Sequence, residues 1–252
     1  DFIVPNRFEF GYGLTPEIVD LAYRKKPSLI ITVDNGIASI SGVKKAKSYG
    51  IDVLITDHHL PAEDLPDANF IVNPNQGSCK FPSKNLCGVG VIFYVLLSLR
   101  SELRKKNKFS SHPEPKLSDL LDLVALGTIA DLVKLDFNNR TLVHFGVKKI
   151  RSGYCNFGIE ALANISNKKL KDIKTSDFSF SIAPKINAAG RLDDMAIGIK
   201  CLIAKDKEEA LDYANKLSVF NEQRKSVENK MKDEALSLLE NFIFEDNYSI
   251  AM

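Results

Sequence analysis

The chain has 252 residues, of which 44% are hydrophobic and 26% are charged, and its formal net charge is +2. These values are ordinary for a globular protein with a sizeable core, so they exclude a disordered chain and a fibre. A charge so close to neutral gives no separate argument for a nucleic-acid partner, and any basic surface must be local.

The four cysteines lie far apart and lack the paired spacing of a zinc finger; they are Cys79, Cys87, Cys155 and Cys201. We expect buried free thiols and therefore a reducing compartment. No signal peptide is recognisable, and the apolar run at 89–99 is too short to cross a bilayer. The expected location is the cytoplasm.

The first residues are expected to alternate between short strands and helices. Phe2–Val4 is short and apolar and is predicted as an edge strand that Pro5 stops. Residues 6–14 contain two glycines and are predicted as a loop. Thr15-Pro16-Glu17 is typical of a helix start, and the helix should run to about Lys25.

Two apolar runs, SLIITV at 28–33 and IDVLIT at 51–56, are predicted strands, and apolar residues recur at helical spacing between them. A strand, helix and strand of this length is typical of a right-handed βαβ unit with parallel strands. Both strands stop at a carboxylate, Asp34 and Asp57. We expect these two side chains at the same sheet edge, where α/β proteins bind ligands.

Two histidines, His58 and His59, follow Asp57 directly. On an extended backbone their side chains should point to opposite sides and have different roles. Imidazole is the commonest metal ligand, and an oxygen-rich site with imidazole suits Mn²⁺ or Mg²⁺. For Asp34 the alternative is a turn residue that only caps the next helix, and Asp131 could likewise be a helix cap.

The middle of the chain is predicted to be mainly helical after a short strand at 70–72. A helix is expected from Val89 to the basic residues near 106, and a surface loop at 109–116. A further helix from Leu117 should break at Gly127, which places Asp131 just past the break.

The last third is predicted to contain a glycine turn and one very long helical segment. INAAGRL at 186–192 is expected to form the turn, with Arg191 next to Gly190, although an ordinary surface turn would look the same. Residues 206–240 lack proline and glycine and repeat apolar residues at helical spacing. They predict a long helix, or two stacked ones, that connects domains.

Several motifs together resemble the RecJ single-strand DNA exonucleases of the DHH phosphoesterase superfamily. In order these are PNRFEFGYGL at 5–14, TVDNG at 32–36, ITDHH at 55–59, GTIADLVKL at 127–135 and INAAGRL at 186–192, with NEQRKSVENK at 221–230 also similar. The resemblance covers essentially the whole chain. It implies metal-dependent hydrolysis of phosphodiester bonds, degrading single-stranded DNA from the 5′ end in repair and recombination.

The resemblance also implies a role for each motif residue. Two divalent cations, Mn²⁺ or Mg²⁺, would act together on the phosphate. Asp34 would bridge the ions, with His58 and Asp131 binding one of them, while Asp57 would orient a neighbouring ligand and His59 would face the scissile phosphate. Arg7 and Arg191 would hold the DNA phosphates, and Asn187 and Gly190 would shape the same substrate-binding turn as Arg191.

The fold implied is α/β, a parallel sheet flanked by helices, with a long connecting helix after it. We expect residues 1–204 to be a partial DHH catalytic domain, 205–242 the connecting helix, and 243–252 the start of a DHH-associated C-terminal domain. The family's first aspartate motif has no match here. We therefore expect a truncated fragment that binds Mn²⁺ poorly and has little or no nuclease activity.

Two other functions remain open from the sequence. One is a DHH-family phosphodiesterase for short oligonucleotides or cyclic dinucleotides, which PNRFEFGYGL and the long helix do not favour. The other is a non-catalytic replication scaffold on a DHH fold, which would have no reason to keep Asp34, His58, His59 and Asp131 together. The expected partners are single-stranded DNA and a single-strand binding protein or helicase, with the protein a monomer and no membrane partner.

Overall fold

The computed structural model describes the backbone of residues 1–4, 7–192 and 195–240, and the side chains of residues 1–4, 9–190 and 195–238. Over these ranges the fold is α/β, with a parallel sheet flanked by helices and a long helix at the end, as predicted. No described helix is long and apolar enough to cross a membrane.

The sheet is formed by β1 (Leu29–Val33), β2 (Asp52–Thr56) and β3 (Phe70–Val72), in that spatial order and all parallel. The register ends evenly, because Val33 pairs with Thr56 and Thr56 pairs with Val72. The residues that follow the three strands therefore emerge side by side at one edge.

The helices, in chain order, are α1 (Arg7–Phe10), α2 (Pro16–Tyr23), α3 (Ile40–Ser48), α4 (Gly88–Lys105), α5 (Leu121–Ala130), α6 (Phe137–Arg151), α7 (Phe157–Ile165), α8 (Thr175–Asp177), α9 (Ala183–Leu192), α10 (Ala196–Leu202) and α11 (Lys207–Glu240). Short 3₁₀ turns lie at Leu117–Leu120 and Leu170–Asp172, and a π-helical turn at Phe178–Ile182 leads into α9.

Local sequence explains several of these boundaries. Thr15 caps α2 by accepting a hydrogen bond from the Ile18 N–H, and Pro16 occupies the first turn as expected. Asp136 caps α6 in the same way through the Asn139 N–H. The predicted loop at 109–116 lies outside helices and strands.

Hydrophobic clusters fill the space on either side of the sheet and among the later helices. One packs α2 and α3 against β2 around Val19, Val43 and Val53, and a second surrounds α4 and the start of α5. A larger one joins α5 to α7, α9 and α11 around Phe178 and Leu217. The later helices thus hold the end of α5, which carries Asp131, against the rest of the domain.

Four predictions about local structure are wrong. Residues 6–14 are not all loop, because α1 occupies Arg7–Phe10. Phe2–Val4 forms no strand, and no described strand pairs with it. Helix α5 continues through Gly127 to Ala130, because the missing side chain admits α4: a Cβ on Gly127 would lie 2.6 Å from Cγ1 of Val89. INAAGRL lies within α9 and is not a turn.

The long helical segment is one continuous helix, α11, of 34 residues. Its first half is buried at Ala210, Ala214 and Leu217, which belong to the same cluster as α7 and α9. The predicted division at 204 and 242 remains a prediction, and residues 243–252 lie outside the described part of the chain.

Candidate metal centre

The candidate site begins with the three residues that follow the strands, Asp34, Asp57 and Asn73. The backbone N–H of Asp34 donates to the Thr56 carbonyl at 3.0 Å, and that of Asp57 donates to the Val72 carbonyl at 3.1 Å. The ladder therefore continues one residue past the strands and fixes where both carboxylates start. Asp34 and Asp57 share the sheet edge that the sequence predicted.

The His58 ring lies between two carboxylates. Its Nε2 is 3.0 Å from Oδ1 of Asp34 and 3.4 Å from Oδ2 of Asp131. This nitrogen is buried and makes no hydrogen bond of acceptable geometry to any described residue. Buried polar atoms nearly always have a partner, so a ring nitrogen surrounded by oxygens but left unsatisfied fits a ligand for a cation.

The same charges shift the pKa values of His58 and Asp131. The Asp34 carboxylate raises the pKa of His58 above its usual value, with help from Asp131 and against the effect of burial. Burial raises the pKa of Asp131, and the charge of Asp34 adds to it while His58 opposes it. Two carboxylates held this close together favour a divalent cation between them.

Asp57 is a buried carboxylate that holds the turn after β2. Only 1% of its surface is exposed. Its Oδ1 accepts hydrogen bonds from the backbone N–H groups of His58 at 2.7 Å and His59 at 3.2 Å, and its Oδ2 accepts from the Ile37 N–H at 2.9 Å. Burial alone would raise the pKa of Asp57, but these bonds and the His59 imidazole outweigh it, so the pKa is lowered.

The His59 side chain is fixed at one end and free at the other. Its Nδ1 lies 2.7 Å from Oδ1 of Asp57, and 60% of its side chain is exposed. Because Asp57 is ionised, Nδ1 carries the proton and donates it, which leaves Nε2 available to a ligand.

The two histidine rings do not point to opposite sides as expected. Their centroids are 4.5 Å apart, and one ligand atom each from Asp34, His58 and His59 fall within 4.8 Å of one another. The prediction was wrong because β2 ends at Thr56. The next residues turn around the Asp57 carboxylate and no longer alternate.

Residues that the sequence reasoning did not single out support this turn. Asn73 donates from Nδ2 to the His59 carbonyl at 2.9 Å, and Asn75 donates from Nδ2 to the His58 carbonyl at 2.5 Å. Both flank Pro74, directly after β3. The rule that polar residues at the carboxyl ends of parallel strands form the site would have found them.

Gly88 at the start of α4 was also missed. A Cβ at this position would lie 2.4 Å from Oδ1 of Asp34 and 2.5 Å from its Cβ, so only glycine lets the helix approach that closely. Asp34 itself has a φ of 66°, a left-handed conformation that aspartate tolerates better than most residues. The helix start and the strand end therefore fix the Asp34 carboxylate together.

The proposed phosphate-binding residues are only partly described. Asn187 is exposed on α9, whereas Gly190 is buried and packs against Met195, whose Sδ would be 2.3 Å from a Cβ there. This contact gives Gly190 a packing role. The side chains of Arg7 and Arg191 lie outside the described residues.

A scan of family models identifies residues 1–128 as the "DHH family, N-terminal domain". That match covers more than half of the chain. The chain belongs to the DHH family. The Asp57-His58-His59 sequence directly after β2 lies within the matched residues.

The DHH-family relatives and structures agree over nearly the whole chain. The single-stranded-DNA-specific exonuclease RecJ of Escherichia coli K12 is 51% identical over 242 residues, or 95% of this chain and 42% of that protein. The crystal structure of exonuclease RecJ bound to manganese matches with a TM-score of 0.80 at 31% identity, covering 94% of this chain and 57% of that one.

The crystal structure of RecJ in complex with Mn²⁺ from Thermus thermophilus matches with a TM-score of 0.75 at 30% identity, covering 88% of this chain and 32% of that one. The chain thus spans less than half the length of the curated E. coli relative. The similarity extends beyond residue 128, because 94% of the chain superimposes on the manganese-bound structure.

Proposed function

We propose that this chain forms part of the catalytic core of a metal-dependent single-strand DNA exonuclease that hydrolyses phosphodiester bonds in the 5′ to 3′ direction. The observation that carries the proposal is His58 Nε2, buried without a hydrogen bond between Asp34 and Asp131. The similarity to proteins named single-stranded-DNA-specific exonuclease supports the substrate.

The metal ligands in this proposal are Asp34, His58 and Asp131, with Asp34 bridging two ions. Two carboxylates and an imidazole form a hard, oxygen-rich set that suits Mn²⁺ or Mg²⁺. Structures of relatives are described as bound to Mn²⁺ and Mg²⁺, which supports the same cofactors here. Divalent ions would supply an activated water and neutralise the negative charge that develops on the phosphate.

The role proposed for His59 follows from its fixed Nδ1 and its exposed ring. With Nδ1 donating to Asp57, the other nitrogen can face the scissile phosphate and exchange a hydrogen bond or proton with it. Asp57 contributes by orientation, since it holds the ring and both backbone N–H groups of the turn. It is a positioning residue in this proposal.

We propose that Arg7, Asn187 and Arg191 bind DNA phosphates away from the scissile bond. A guanidinium group binds a phosphate through two parallel hydrogen bonds, which suits a strand that slides through the site. The buried position of Gly190 supports a part in packing α9 and no direct DNA contact. The protein is proposed to act as a cytoplasmic monomer in repair and recombination, beside a single-strand binding protein or helicase.

The experiment that tests the function uses the protein in its full natural length and a long 5′-phosphorylated, 3′-labelled single strand. The expected result is Mn²⁺-dependent, progressive shortening of the 3′-labelled strand from its 5′ end, abolished by Asp131→Ala. Activity confined to oligonucleotides a few residues long or to cyclic dinucleotides would contradict the proposal. If Asp131→Ala changed no measured activity of the protein, the non-catalytic scaffold would be the better interpretation.

A matched control is Asp119→Ala, in the short 3₁₀ turn ahead of α5, where the carboxylate is outside the metal centre. This variant should keep the activity of the wild type.

A further inference from the structure

Leu132 has a backbone conformation that leucine rarely adopts. It follows Asp131 at the end of α5, has a φ of 57°, and its N–H donates to the Ile129 carbonyl at 3.3 Å. Glycine or asparagine usually occupies the left-handed position after a helix, because a larger side chain is strained there. The strain is local to the residue next to a candidate metal ligand.

The Leu132 side chain is also 80% exposed. An exposed leucine is common and means little alone, but a strained and exposed one gains neither core packing nor backbone stability at its position. Its Cα is about 3.8 Å from that of Asp131, as for any consecutive pair. The exposed apolar side chain thus lies one residue along the chain from a proposed metal ligand.

Leu132 borders an open cleft of about 290 Å³ between the end of α5 and the turn at 175–179. One wall is apolar and includes Ile129, Leu132 and Val133, and the other carries the hydroxyl groups of Thr175, Ser176 and Ser179. The cleft is near the lower end of the size range of small-molecule sites, roughly 300 to 1,000 Å³.

The lining of the cleft has no charged side chain. It is therefore unsuited to a phosphate but suited to a flat, partly apolar group with polar edges, such as a nucleobase. Hydroxyl groups can donate to or accept from any base, so they would hold a base without selecting its sequence. This is the tolerance that a nuclease acting on every sequence needs.

We propose that this cleft binds the base of a nucleotide next to the scissile phosphate, with Leu132 packed against the face of that base. The inference rests on the proposed function, because it takes Asp131 as a ligand of the cations that would bind the scissile phosphate. Leu132 would then position the strand, and the strained backbone would be retained because it presents the side chain to the DNA.

The test measures kcat/KM of the full-length protein on 5′-phosphorylated single strands with an abasic residue at one of the first three nucleotides, or at the tenth. In the wild type, an abasic residue at one of the first three positions should lower kcat/KM about tenfold, and one at the tenth should not. The sensitive abasic strand is the one whose abasic residue, at one of the first three positions, lowers kcat/KM of the wild type most. Leu132→Asn should lower kcat/KM about tenfold on the normal strand and cause no further loss on the sensitive abasic strand.

Asparagine tolerates the left-handed conformation, so Leu132→Asn should unfold at the same temperature as the wild type or higher. Leu132→Met, which keeps an apolar side chain at this position, should have the kcat/KM of the wild type on the normal strand. Leu99→Asn replaces a leucine that is 51% exposed on α4 and should change neither activity nor the abasic response.

Equal losses for Leu132→Asn on the normal and the sensitive abasic strand would overturn the inference, since the side chain would then act independently of the base. A wild type that hydrolyses DNA but ignores every abasic residue would also overturn it and leave the proposed function standing. A wild type with no metal-dependent hydrolysis would reject both.

Discussion

The imidazole of His59 donates from Nδ1 to the buried carboxylate of Asp57 across 2.7 Å. Through this contact a residue with almost no exposed surface controls which nitrogen of an exposed ring is free. The same carboxylate binds two backbone N–H groups of the turn and that of Ile37. One side chain therefore fixes both histidines of the candidate centre relative to the sheet.

Asp57→Asn should lower kcat of the full-length enzyme about 100-fold with a small change in KM, because an amide cannot hold His59 in the same tautomer as a carboxylate does. The free energy of unfolding should fall by about 1 to 3 kcal/mol, because the backbone N–H groups lose their charged acceptor. Kinetics on labelled single strands and chemical denaturation measure the two effects separately.

The control for that prediction is a double-mutant cycle with His59→Ala. If Asp57 acts through His59, the double variant should be no less active than the worse single variant. Losses that multiply would show that the two residues contribute independently to catalysis.

Gly88→Ala should weaken Mn²⁺ binding by the full-length protein about tenfold or more. The new methyl group would have to displace the Asp34 carboxylate or the start of α4, since 2.4 Å separates its position from Oδ1. Mn²⁺ binding is measured by titration with electron paramagnetic resonance detection. Gly77→Ala is the matched control, because a Cβ there meets nothing within 4 Å; equal affinity of both variants would contradict the prediction.

Asp136 should make the stability of the fold depend on pH in the acid range. Burial raises its pKa, but hydrogen bonds from the Asn139 N–H, the Ser83 hydroxyl and the Asn85 amide outweigh burial and lower it. A lowered folded-state pKa means that the stabilisation is complete above the unfolded-state pKa, about 3.9. It is lost as the pH falls from there through the folded-state value.

Asp136→Ala should therefore lower the free energy of unfolding at pH 7 by about 1 to 2 kcal/mol, the usual size for loss of a helix cap. The gap to the wild type should close when the pH falls below both pKa values. Urea denaturation at a series of pH values measures this. Replacing the exposed Asp64 by alanine should leave the curve unchanged, and a gap that persists at the lowest pH would contradict the assignment.

The four cysteines should differ in reactivity in the native protein. Burial raises the pKa of Cys155 to about 11 and of Cys201 to about 11, and it also raises that of Cys87. Because the thiolate is the nucleophile, these three should react with iodoacetamide at pH 8 only after unfolding. Half-buried Cys79 should react first. Mass spectrometry of labelled peptides decides, and early labelling of Cys201 would contradict the prediction.

Much of the local structure could be read from the sequence. The strands at 29–33 and 52–56, the Thr15-Pro16 helix start and the common edge of Asp34 and Asp57 all appear as predicted. They could be predicted because each depends on short-range signals: an apolar run fills a buried strand, a hydroxyl caps a helix, and a crossover of this length makes neighbouring strands parallel.

Other features were decided only by tertiary packing. Gly127 and Gly190 look like helix breakers in the sequence, yet both lie inside helices because the missing side chain admits Val89 in one case and Met195 in the other. Proximity to a distant residue outweighed local propensity at both positions.

The sequence by itself thus determined the types of ligand and the sheet edge on which two of them start. Only the resemblance to the DHH family, and no local pattern, implied that Asp131 would lie beside His58, more than 70 residues earlier in the chain; in the structure Asp131 lies 3.4 Å from the His58 ring nitrogen that also faces Asp34. That depends on α4 and α5 packing through glycines, and on a large helical core that fixes the end of α5. The sequence did not determine the direction of the two histidine rings, because the buried Asp57 carboxylate replaces the alternation of a strand with a turn.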